Sequence, residues 1–98
     1  MIVIAGKFTV KVQDWDEAQR QIDTIVAAVE AEQGCNIYRI YVDPADHNTW
    51  FLFEEWETPE ALVSHRTQPH MTPWREFMKS VDSHSELYRY EVSSKGKL

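Results

Sequence analysis

Glu54, His65 and His70 are the residues whose types and order could do chemistry here. They fall in the stretch Phe53-Glu54-Glu55-Trp56-Glu57-Thr58-Pro59-Glu60-Ala61-Leu62-Val63-Ser64-His65-Arg66-Thr67-Gln68-Pro69-His70. An imidazole beside a carboxylate can take a proton from a substrate and return it, because histidine changes charge near neutral pH. Glu54 has the strand parity of Trp50, Leu52 and Trp56, so it sits among rings, where a carboxylate needs a hydrogen-bond partner or its pKa rises. His65 follows Leu62 by three residues and Ala61 by four, on the inward stripe of a short helix. The two side chains can therefore meet. A hydrogen bond that only pins helix to sheet is the structural alternative to an acid/base pair.

Other chemistries find less support. His65 and His70 are separated by Pro69 and lack the i, i+4 spacing of two metal ligands on one helix. Glu54 would be a weak third donor, so no metal is expected. Glu55 and Glu57 fall on the strand face opposite Glu54, which argues against a paired-carboxylate glycosidase site. The chain has no G-x-G-x-x-G, P-loop, C-x-x-C, H-E-x-x-H or G-x-S-x-G. Nucleotide cofactors and serine hydrolysis have no motif to rest on. His47 and His84 stand beside turns and read as solvated. Tyr38, Tyr88, Tyr90 and Trp74 are able to line a pocket for a flat aromatic molecule, or to serve as core and interface residues. Arg39, Arg66 and Arg89 could each bind an anion, but local context singles out none.

The elements that position these residues follow from periodicity. Ile2, Ile4, Phe8, Val10 and Val12 share one parity, predicting a first strand over 2–12. Asp14 with Glu17 three residues on resembles a capping box. Trp15, Ala18, Ile22, Ile25, Val26 and Val29 then recur at helical spacing, predicting a helix over 16–33 that Gly34 stops. Residues 35–42 and 47–57 read as a hairpin around Asp43-Pro44-Ala45-Asp46. Thr58-Pro59 and Thr72-Pro73 each carry an N-cap and helix-start signal, the latter leading into Trp74, Phe77, Met78 and Val81. Residues 87–92 read as the last strand. The order β-α-β-β-α-α-β is an α+β fold of the ferredoxin-like split βαβ type, with a four-stranded antiparallel sheet and helices on one face. Residues 1–93 form one domain and 94–98 a flexible tail.

Both faces of the third strand are apolar: Trp50, Leu52 and Trp56 on one side, Phe51 and Phe53 on the other. Helices cover one face only, so the other calls for a second copy of the sheet, a homodimer. A net charge of -6 disfavours nucleic acid and anionic membrane as partners. No apolar run reaches the length of a membrane span and no signal peptide is evident, and Cys35 is the single cysteine. A cytoplasmic protein is expected.

Phe53-Glu54-Glu55-Trp56, followed by Ala61-Leu62, His65 and Pro69-His70, resembles the signature of the antibiotic-biosynthesis-monooxygenase domain. Gly34-Cys35-Asn36-Ile37-Tyr38 is similar to that family's glycine-led second strand, and Trp74 with Phe77 to its last helix. The resemblance extends over residues 2–92. It implies a dimeric α/β barrel with a pocket between sheet and helices, and quinol or anthrone oxidation by O2 without flavin, haem or metal. His65 would be the base, Glu54 would orient it, and His70 would bind or protonate an oxygen intermediate. Asn36 and Tyr38 would orient a substrate oxygen, while Trp56 and Trp74 contact the substrate. Two other branches of the family degrade haem or isomerise a phosphorylated hydroxyketone, autoinducer-2. Lys7-Phe8-Thr9 offers no asparagine in the first strand, which discounts haem degradation. The alternatives that stay open are that proton-transfer isomerase and a non-enzymatic stress or partner-binding dimer.

Overall fold

The computed structural model describes all 98 residues. The elements run β1 Ile2–Thr9, α1 Trp15–Glu30, β2 Cys35–Asp43, β3 Asp46–Trp56, α2 Pro59–Arg66, α3 Met71–Ser80 and β4 His84–Glu91. The strands form one antiparallel sheet in the order β2-β3-β1-β4. This is the ferredoxin-like α+β arrangement expected from the order of elements. No helix is long and apolar enough to cross a membrane.

Register defines the two faces. On the helix side the cross-strand rows are Tyr38–Glu54–Ile4–Arg89 and Ile40–Leu52–Gly6–Leu87. On the opposite side they are Arg39–Phe53–Ala5–Tyr88 and Tyr41–Phe51–Lys7–Glu86. The helix side carries the core, with Trp50 and Trp56 fully buried beside Ile25, Val29, Leu62 and Trp74. Burial of such side chains stabilises the fold by about 1.5–3 kcal/mol each. On the opposite face Tyr41, Phe51, Tyr88 and Tyr90 are exposed, while Glu55 is buried and paired with Lys95 at 3.2 Å.

Several boundaries differ from the sequence reading, each for a local reason. β1 stops at Thr9 rather than Val12, because the amides of Val10 and Val12 are drawn to Asn48 and that of Lys11 to the Val81 carbonyl. α1 stops at Glu30 rather than Gln33. The chain turns through Ala31 and Glu32 and leaves at Gly34, whose φ of +84° lies in the left-handed region that glycine adopts freely. A Cβ at Gly34 would stand 2.5 Å from the Ala61 methyl, so glycine also lets α2 lie against the start of β2. Gly6 serves a comparable end, since a side chain there would run into the Glu86 carbonyl of β4. α3 begins at Met71, not after Thr72, and Pro73 occupies its first turn, where a missing N–H removes no helical bond. β4 starts three residues earlier than expected, paired to β1 over its whole length. Asp14 caps α1 by accepting from the Glu17 amide at 3.0 Å. The Glu17 carboxylate bonds Arg20 and Gln21 instead, so only half of the capping box forms.

Candidate active site

β3 delivers Glu54 to the helix face because strand alternation places it between the buried Trp50–Leu52 pair and Trp56. α2 delivers His65, capped at its start by Thr58, whose hydroxyl accepts from the Ala61 amide at 3.1 Å. Both are buried, His65 to 4% and Glu54 to 6% exposure. His65 lies against the ring of Trp56, 4.7 Å between centroids, with Tyr38 at 5.9 Å.

The carboxylate bonded to His65 is Glu32, from the turn after α1. Its Oε2 lies 2.9 Å from His65 Nδ1 and 2.8 Å from His70 Nε2. Glu54 stands on the other side of the ring, its Oε1 at 4.0 Å from His65 Nε2, beyond hydrogen-bond distance. Glu54 is held instead by the Trp56 indole N–H, which donates to it at 2.8 Å. Sequence reasoning missed Glu32 because a glutamate at the polar end of a long helix looks like a solvated charge. A cue was its place two residues before the glycine that ends the helix, where a side chain leaves the helical face.

This geometry orders the proton positions. An ionised Glu32 only accepts, so both histidine nitrogens facing it carry protons. With its proton on Nδ1, neutral His65 presents a lone pair at Nε2 toward Glu54. Burial pushes the Glu54 carboxyl above the usual carboxylate range, against the opposing pull of the Trp56 hydrogen bond, His65 and Arg66. Burial likewise raises the Tyr38 phenol, with Glu54 adding to the shift, so Tyr38 remains a hydrogen-bond donor at neutral pH. Burial pushes the Cys35 thiol up to about 12, which leaves it unreactive as a nucleophile.

His65 and Glu54 border a cleft between the sheet and the α2–α3 pair. One lobe, of about 360 Å³, is lined by Phe8, Tyr38, Leu52, Trp74 and Met78. The other, of about 320 Å³, is lined by Ile4, Leu62, Arg66, Tyr88 and Arg89. Glu54, His65, Met71, Arg75 and Leu87 border both lobes. The structure thus brings together four residues singled out in the sequence, Glu54, His65, Tyr38 and Trp74. Trp56 sits behind them as a support for Glu54 and the His65 ring. His70 is on the far side of Glu32, beside a separate small cavity of about 80 Å³ with Ile25, Pro73 and Trp74. Asn36 is the extra residue of a β2 bulge and donates to the exposed Glu57 carboxylate at 2.9 Å, away from the cleft.

Glu32, His65 and His70 have ligand atoms within 4.8 Å of one another, the one donor set able to hold a divalent cation. Their spacings of 2.8 and 2.9 Å are those of hydrogen bonds. A metal would have to displace both histidine protons from Glu32.

Comparison with known proteins agrees with the fold. The profile of the family described as antibiotic biosynthesis monooxygenase matches residues 1–76. The chain is 32% identical over 69 residues to the uncharacterized protein sll1783 of Synechocystis, covering 70% of this chain and 47% of that one. It is 35% identical over 54 residues to Rv0793 of Mycobacterium tuberculosis, covering 55% and 52%. The matched stretch thus spans about half the length of these relatives. The solved structure of Rv0793 superposes with a TM-score of 0.78 at 21% identity, covering 99% of this chain and 100% of that one. A structure described as an antibiotic biosynthesis monooxygenase gives 0.84 at 19% identity, covering 96% and 100%. These likenesses share the sheet, the helices and their order. The chain belongs to the antibiotic biosynthesis monooxygenase family.

Proposed function

We propose that this protein is a cofactor-independent monooxygenase that oxidises a small aromatic quinol- or anthrone-like substrate with O2. The observation that carries the reading is the placement of His65: Glu32 holds its Nδ1 at 2.9 Å, leaving Nε2 free to act as a base on the cleft side. Triplet O2 reacts poorly with a neutral closed-shell molecule. Once His65 takes the proton from a substrate O–H or activated C–H, the resulting anion gives O2 one electron and the two radicals combine to a peroxide. The proton held by His65 returns to that peroxide, and loss of water from the resulting hydroperoxide leaves one oxygen atom on the product as a new carbonyl and the other in the water. Tyr38 is available to donate a hydrogen bond to the substrate anion, and the rings of Phe8 and Trp74 suit a flat substrate. Glu54 lies 4.0 Å from Nε2, too far for direct proton transfer, and places a second carboxylate beside the base. His70 acts through Glu32 rather than on the oxygen intermediate.

The working form is read as a homodimer through the open sheet face, where Tyr41, Phe51, Tyr88 and Tyr90 are exposed together. Oxygen uptake with a panel of quinols and anthrones tests the activity. Uptake above the protein-free rate, unchanged by a chelator, is the expected result. No uptake with any member of the panel counts against the reading, and loss of uptake with chelator moves the chemistry to the Glu32–His65–His70 donor set.

A further inference from the structure

Three arginines line the polar lobe of the cleft in a chain whose net charge is -6. Arg66 ends α2, Arg75 lies on α3 and Arg89 on β4, so three separate elements converge there. Arg66 and Arg75 pair with no carboxylate anywhere in the protein, and Arg89 reaches only the exposed Glu91 at a loose 3.7 Å. Acidic residues outnumber basic ones sixteen to ten, so surface arginines would readily find partners if pairing were their role. Arg75 is held in place, since one terminal nitrogen donates to the Arg66 carbonyl at 2.8 Å, which leaves its remaining N–H donors for another acceptor. Arg89 shares the cross-strand row of Glu54 and Ile4, two strands away and therefore about 10 Å from the carboxylate along the sheet.

We propose that the substrate carries an oxyanion, a carboxylate or a phosphate, which Arg75, Arg66 and Arg89 bind in the polar lobe while its aromatic ring enters the apolar lobe. The identification of the ring as the reacting group rests on the monooxygenase reading above; the anion site does not. Guanidinium forks match oxyanions with two parallel hydrogen bonds, and an anchor at one end of the cleft sets which ring atom comes to His65. Glu54 lies between the two lobes, so the anion must stay at the arginine end, and a ligand enters in one direction only.

The test is a binding measurement that needs no turnover. Quenching of tryptophan fluorescence, with Trp74 in the apolar lobe, is followed for neutral naphthol, a hydroxynaphthoate and naphthyl phosphate at low ionic strength. At least one of the two anions should bind about tenfold or more tighter than naphthol, and the tighter of them names the group. The advantage should fall to about twofold or less in Arg66→Gln with Arg75→Gln, the loss falling on the anions far more than on naphthol, and should fall part of the way in Arg75→Lys, which keeps the charge and loses the fork. Arg39→Gln, at a residue paired with Glu30 outside the cleft, should leave it intact. Equal affinities for the three probes, binding of none of them, or a preference that persists in the folded double variant would overturn the proposal. Oxygen uptake with a carboxylated quinol separates this proposal from the activity. Anion preference without uptake keeps the arginine site and removes the monooxygenase; uptake with no preference between charged and neutral quinols does the reverse.

Discussion

Glu32 Oε2 lies 2.9 Å from Nδ1 of His65, a residue 33 positions further along the chain. A turn at the end of one helix thereby sets the proton position of a histidine on another. The same oxygen accepts from His70 at 2.8 Å, so Glu32 ties α1, α2 and the start of α3 together at one point. Replacing Glu32 by Ala should leave a folded protein with turnover lowered by about 10- to 100-fold, the usual consequence of losing the partner that orients a catalytic imidazole. Nitrogen NMR of His65 should at the same time show loss of the Nδ1–H form. A variant that keeps both its tautomer and its turnover would show that Glu32 does not orient His65.

His65→Ala should lower turnover by about 10²-fold or more, the scale of a lost general base. Stability should fall by about 1–3 kcal/mol, because Glu32 keeps one partner and loses another in a buried setting. Activity divided by the folded fraction, from urea unfolding of the same preparation, separates the two effects. Full activity per folded molecule would transfer the base role to Glu54, the carboxylate that borders the cleft.

Burial raises the Glu54 pKa in the folded protein above its unfolded value. The folded state therefore holds the proton more tightly. The stability this group contributes is intact below the unfolded pKa, about 4.3, and is lost as pH rises through the folded value. Glu54→Gln keeps an oxygen to accept from the Trp56 indole and removes the charge. It should melt higher than the parent at about pH 8, with the difference closing toward about pH 4. A variant that melts lower at every pH would mean that the ionised carboxylate is stabilised where it stands.

Gly34→Ala combines a left-handed backbone with a methyl placed 2.5 Å from Ala61. Stability should drop by about 2–4 kcal/mol in urea unfolding. The pairing of Gly34 and Ala61 is testable further: Ala61→Gly, which removes the second methyl, should restore part of the loss when combined with it.

The exposed row Tyr41–Phe51 on the open sheet face gives a direct test of assembly. Sedimentation at micromolar concentration should return about twice the chain mass, and Phe51→Glu should shift the protein toward monomer. A parent protein that sediments as a monomer would leave that face to some other partner.

Periodicity along the chain was enough to determine the α+β fold. Alternation in β1 and β3, the stripe from Trp15 to Val29, and the Thr-Pro start of α2 are local preferences that the tertiary structure reinforces. The inward placement of Glu54 and His65 follows from the same periods. Element ends did not follow. Asn48 draws off the amides beyond Thr9, and α1 yields to the turn at Gly34, because long-range hydrogen bonds outweigh propensity at frayed termini. The identity of the carboxylate on His65 was beyond the sequence for the same reason. Glu32 and Glu54 are both plausible partners by type, and only the packing of α1 on β2 and α3, which carries the turn after α1 to the end of α2, brings Glu32 to Nδ1 and leaves Glu54 at 4.0 Å from Nε2. Residue types and spacing thus determined which faces meet. The packing of helices on the sheet decided which atoms on those faces touch, because hydrogen bonds form or fail over a few tenths of an ångström that periodicity does not encode.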